Sequence, residues 1–169
     1  MNKIKRNLAL KYSDGFTLLE LLVVVAIIGL LTSIVLVSLS NSKNKGADAA
    51  VKSNLNTIRN ESELFYSNNG NSFLPSGGSV FNIAVCPTIY NASGSNMFVR
   101  DQTILNAILE ASKRGSNVAY CYNSSINWAV AVGLRSSATA SWCVDSGGNS
   151  RQVSSAPASA INNVTFSCN

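Results

Sequence analysis

The chain has 169 residues, 46% of them hydrophobic and only 12% charged, where about a quarter charged is usual for a soluble domain. That length suits one domain of ordinary size, and the charge deficit argues against a free cytosolic protein. Four cysteines occur with no histidine, which excludes Ser-His-Asp and Cys-His catalytic arrangements and every His-ligated metal site. The net charge of +5 is unevenly placed, because Lys3, Lys5, Arg6 and Lys11 stand against Asp14 alone in the first fifteen residues. Nucleic-acid binding by the main body therefore has little support.

Phe16 to Leu39 reads FTLLELLVVVAIIGLLTSIVLVSL, with Glu20 as its one charge. As a helix this run would extend ~36 Å at ~1.5 Å per residue, enough to cross a ~30 Å hydrocarbon core. It has no polar face, so it reads as a membrane-spanning segment. The basic residues before it stay in the cytoplasm and the remainder of the chain is exported. The run exceeds the ~7–15 apolar residues of a cleaved secretory signal, and no A-x-A-like site follows it. A plain signal anchor explains everything but Gly15-Phe16-Thr17-Leu18-Leu19-Glu20. There a glycine marks the polar–apolar boundary and a carboxylate lies inside the apolar run. An acidic side chain at mid-helix depth costs ~2.5–3.5 kcal/mol on insertion scales, and less near an end.

The stretch GFTLLELLVVVAIIGLL, with basic residues upstream, resembles the N-terminus of type IV pilins and pseudopilins. The resemblance implies that a prepilin peptidase cuts after Gly15 and methylates the new amine of Phe16. It also implies that Glu20 is the glutamate that guides assembly. Many pilins carry a proline about two-thirds along the run, where this chain has Val37. The chemistry is coherent without the family. Glycine offers no side chain to obstruct a peptidase, and the cut places a cationic amine four residues before an anion in an apolar helix. Packing such helices together lets the Glu20 of one subunit meet the amine of another.

Beyond the apolar run, Ala47, Val51, Leu55, Ile58, Ser62 and Phe65 recur at steps of three and four, one stripe of a helix. Asn68-Asn69-Gly70 stops it. One helix over about 16–68 is expected, spanning the membrane in its first half and amphipathic in its second. Residues 71–99 read as a long loop containing Cys86. Asp101–Arg114 reads as a short helix with Asp101 as N-cap and Gly115 as its end. The period then changes to two, and Val118–Asn123, Asn127–Leu134 and Ser141–Asp145 read as three strands of a meander. Trp128, Val130, Val132 and Leu134 should face the helix, matched by Val118, Tyr120 and Tyr122 on one side and by Trp142 and Val144 on the other. The fold class is α+β, a long N-terminal helix packed on a small antiparallel sheet. This is the pilin architecture. The parts are a basic leader (1–15), a hydrophobic transmembrane and assembly helix (16–40), and an exported globular domain (41–169).

The cysteines show no C-x-x-C spacing, so two disulfides are expected outside the membrane. Cys121 and Cys143 sit on the first and third strands, about two strand spacings or ~9.5 Å apart, beyond the ~7 Å reach of a bridge. Both fall on the face away from Trp128 and Trp142, where each can staple a loop over the sheet's outer side. The expected pairs are Cys86–Cys121 and Cys143–Cys168, the second resembling the C-terminal disulfide of many pilins. Asp145 with Gly147, Gly148 and Asn149 offers too few oxygen ligands for calcium and reads as a hairpin turn. No cofactor is expected.

Three functions compete. The first is a type IV pilus subunit. Its implied partners are other copies of itself, the prepilin peptidase, the inner-membrane platform and assembly machinery, and membrane lipid before assembly. Nucleic acid is left open as a partner. The subunit would sit in the cytoplasmic membrane before assembly and in a surface filament after it. The second function is a pseudopilin of a type II secretion or competence system. The third is a membrane-anchored exported domain that never polymerises. No catalytic constellation supports an enzyme.

Overall fold

The computed structural model describes residues 15–169. The basic leader residues Lys3, Lys5, Arg6, Lys11 and Asp14 lie outside them. The chain divides into two compact units between Leu39 and Ser40. Helix α1, Leu18–Asn68, belongs to both.

In the first unit, the large apolar side chains described from Phe16 to Leu39 are all exposed, with Phe16 and Leu18 each 88% accessible. α1 is long and apolar enough over this part to cross a membrane. Two hydroxyls within it are satisfied by the helix itself. Thr32 Oγ1 donates to the Ile28 carbonyl at 2.7 Å and Ser33 Oγ to that of Leu30 at 2.8 Å. An apolar solvent requires such internal satisfaction.

In the second unit, the rest of α1 precedes strand β1 (Phe81–Val85), helices α2 (Met97–Arg100) and α3 (Gln102–Arg114), and strands β2 (Ala119–Asn123), β3 (Trp128–Gly133), β4 (Ser141–Asp145) and β5 (Ser150–Val153). A short helix α4 (Pro157–Ala160) follows. The strands form an antiparallel meander in the order β1-β2-β3-β4-β5. The architecture is α+β with a long N-terminal helix and a small antiparallel sheet. The α1 stripe is buried as its spacing predicts, with Val51, Leu55, Ile58 and Ser62 fully enclosed. Ser62 avoids an unpaired hydroxyl by donating to the Ile58 carbonyl at 2.7 Å. Asp101 caps α3 by accepting from the Ile104 amide at 2.9 Å, and the Gly115 amide closes its other end on the Ala111 carbonyl.

One sheet face, bearing Trp128, Val130, Val132 and Val144, joins a core with the stripe of α1 and with Ile104, Ile108 and Ala111 of α3. The opposite face, bearing Ala129, Ala131 and Cys143, packs with Ala160, Ile161 and Cys168. The expected facing of β2 is reversed. Its register sets Cys121 opposite Val130, and Tyr120 and Tyr122 opposite Ala131 and Ala129. Ala119 and Cys121 therefore join the helix-side core, while Tyr122 belongs to the outer one. The cause is volume. Small residues on β2 leave room for the apolar side chains of the helices. The tyrosines complement the alanines of β3, and Tyr122 stacks on Phe166 with centroids 4.1 Å apart. Cys121 and Cys143 are thus on opposite faces of the sheet, not together on its outer side. The segment 71–99, expected as loop, contains β1 and the first three residues of α2. The sheet also gains β5, which follows the turn at Ser146–Asn149.

Candidate functional site

The N-terminal segment carries the candidate assembly site. Gly15 and Phe16 precede the first turn of α1, and both are exposed. Thr17 and Glu20 form a reciprocal cap. Thr17 Oγ1 accepts from the Glu20 amide at 3.2 Å. Glu20 Oε2 accepts from the Thr17 amide at 2.9 Å and from its hydroxyl at 2.8 Å. This is a capping box, which satisfies amides that a helix N-terminus leaves without partners. Glu20 therefore has a local use that a charge count alone does not reveal. The signal was present in the Thr-x-x-Glu spacing ahead of an apolar run.

Gly15, Phe16 and Glu20 fall together within six residues at the start of an apolar helix whose sides are uncovered. Chemically, the arrangement offers a small residue at a boundary, an aromatic residue whose amine a cut would free, and a carboxylate one turn along. Burying that helix surface needs lipid tails or other apolar protein surface.

In the second unit, Cys86 is bonded to Cys121 and Cys143 to Cys168. Cys86 does not lie in a loop over the sheet. It directly follows β1, and its amide donates to the Ala119 carbonyl at 2.9 Å, so this disulfide fastens edge strand to neighbour on the helix side. Cys168 is fixed from three directions. Besides its disulfide, its amide donates to Asp145 Oδ2 at 2.8 Å and its carbonyl accepts from Arg151 Nη2. Asp145 is 1% exposed. It also accepts from the Asn149 amide at 3.0 Å and from Asn149 Nδ2 at 2.7 Å. Its oxygens close the β4–β5 turn and clamp the C-terminal segment. Among the described residues no group of three or more Cys, Asp or Glu is placed to hold a metal ion.

Sequence reasoning missed a second clamp. Asp48, 7% exposed on α1, accepts from the Arg135 amide at 2.6 Å and from the Ser136 amide at 3.3 Å. It holds the β3–β4 connection against the helix. Its position beside the apolar stripe gave no warning of this, because the partners are backbone amides far along the chain.

No curated protein and no solved structure matches the chain. Residues 10–36 match the model of the prokaryotic N-terminal methylation motif, a prepilin and pseudopilin feature, so the chain is consistent with the pilin and pseudopilin superfamily.

Proposed function

We propose that the chain is a structural subunit of a type IV pilus filament. A prepilin peptidase removes the leader 1–15 by cutting after Gly15 and methylates Phe16. Residues 16–40 hold the subunit in the cytoplasmic membrane with the leader side in the cytoplasm. Residues 41–169 are the exported globular domain. The assembly platform then draws subunits into a surface filament, in which apolar helices bury one another and the Glu20 of one subunit meets the Phe16 amine of the next. The protein performs no catalysis and needs no cofactor.

The observation that carries this reading is the methylation motif over residues 10–36 leading directly into a helix whose apolar sides are bare. A pseudopilin would use the same chemistry in a short secretion or competence assembly, and surface filaments distinguish the two. The test of processing is the intact mass of the protein isolated from its native cell. The expected chain begins at a singly methylated Phe16. A chain beginning at Met1 in assembled filaments would overturn the proposal.

A further inference from the structure

Within the second unit, a cleft of about 460 Å³ opens between α1, the end of α3 and the β3–β4 connection. Its floor is Gly46, Ala47 and Ala50, and its walls carry the cationic side chains of Lys43, Lys113, Arg114 and Arg135. A Cβ built on Gly46 would meet nothing within 4 Å, so the floor is open. Two carboxylates stand nearby. Glu110 reaches Lys113 Nζ at 3.7 Å and Arg114 Nε at 3.9 Å, on the exposed surface of α3. Asp48 is buried and occupied by the amides of Arg135 and Ser136. Among the described residues no ion pair is recorded for Lys43 or Arg135. The cleft therefore keeps a net positive charge.

We propose that this cleft binds the phosphate headgroup of an acidic phospholipid before assembly. The inference rests on the reading that residues 16–40 cross a membrane. Lys43 is four residues beyond Leu39, the last large apolar residue of the run. Chain connectivity alone keeps it within ~14 Å of that residue, whatever the conformation. A subunit inserted to Leu39 must hold Lys43 at headgroup level, and the other three cations share its cleft. Each basic residue near an anionic membrane surface strengthens binding roughly fivefold, and the effect fades within a Debye length. Nucleic acid fits less well. The cleft has no aromatic lining on which a base could stack, and single strands are held largely by such stacking.

The test uses the full chain in detergent micelles, titrated with phosphatidylglycerol, phosphatidylcholine or inorganic phosphate and read by native mass spectrometry. Flotation with phosphatidylcholine vesicles checks insertion separately. Wild-type protein should retain phosphatidylglycerol in preference to phosphatidylcholine. The double variant Lys43→Gln, Arg135→Gln should lose that preference by about tenfold or more. Lys52→Gln, Arg100→Gln removes the same charge outside the cleft and farther along the chain from Leu39, and should retain it. All forms should float equally and keep both disulfides. Equal retention of the two lipids, or equal loss in both double variants, would overturn the proposal while leaving membrane insertion intact. Tighter binding of inorganic phosphate than of phosphatidylglycerol would assign the cleft to a soluble anion instead. Failure to float would remove the membrane reading and this inference with it.

Discussion

Three buried polar residues hold connections that no strand or helix pattern would fix. Asp48 grips the β3–β4 connection and Asp145 the β4–β5 turn together with Cys168. Asn123, with no exposure, accepts from the Met97 amide at 3.2 Å and donates to the Phe73 carbonyl at 3.2 Å. Each gives up water and recovers the loss only through partners that the fold supplies. Asp145 makes the strongest single prediction. Asp145→Ala leaves the buried Cys168 amide and the turn amide of Asn149 without an acceptor. It should cost about 3 kcal/mol, or about 10 °C in Tm for a chain of this size, measured by thermal unfolding of the oxidised protein. A change within 1 °C would show that the turn and the C-terminal segment are held by other means. Of the three, Asp145 could be placed in a turn from its neighbours Gly147 and Gly148. The partners of Asp48 and Asn123 could not, because they lie 87 and 26 residues away along the chain.

At the scale of elements, periodicity located what is buried on one side and missed what is not. β3 alternates bulky and small residues and was legible with its facing. β1 and β5 are the edges of the sheet and largely exposed. β5 reads Ser-Arg-Gln-Val and shows no apolar alternation, whereas β1, Phe-Asn-Ile-Ala-Val, alternates over only five residues inside a stretch rich in Ser, Gly and Asn. The facing of β2 failed for a different reason. Alternation shows that two faces differ, and bulk suggested which was inner, but the neighbouring strand and helices decide where bulk fits. The end of α3 shows how close that fit is. A Cβ on Gly115 would lie 2.2 Å from the Gly133 carbonyl oxygen, a backbone atom of β3. Gly115→Ala must push helix and strand apart and should destabilise by about 2 kcal/mol, seen as a lower denaturant midpoint with an unchanged slope. An unchanged midpoint would mean that the helix end is free to move. The disulfides act on the same scale. Closing loops of 35 and 25 residues should contribute about 3.5–4 kcal/mol each under the chain-entropy model. Peptide mapping without reduction should yield Cys86 linked to Cys121 and Cys143 linked to Cys168. A Cys121–Cys143 peptide would contradict the sheet, since the two lie on opposite faces.

For the whole molecule, the most legible feature was a run of apolar residues and the six residues that open it. Hydropathy and a short motif survive without any knowledge of tertiary contacts, whereas the basic cleft brings together residues 43, 114 and 135 and exists only once the chain has folded. The apolar helix is bare along the part before Leu39, so the account stands on what covers it, lipid first and then copies of itself. Glu20 separates this from a plain anchor, but its capping box with Thr17 gives it a second role that a substitution must preserve. Glu20→Gln does so, because a glutamine at this position can still accept from the Thr17 amide, and only the charge is lost. Under the anchor reading the exchange is neutral throughout, since removing a charge from lipid is not unfavourable. Under the filament reading the neighbour's Phe16 amine is left unpaired in an apolar bundle, which is strongly unfavourable. The decisive measurement is an immunoblot of membrane and sheared-filament fractions from cells making either form. The account predicts mature protein in the membrane for both forms and little or no Glu20→Gln protein in the sheared fraction. Equal amounts of the two forms in the sheared fraction would contradict it.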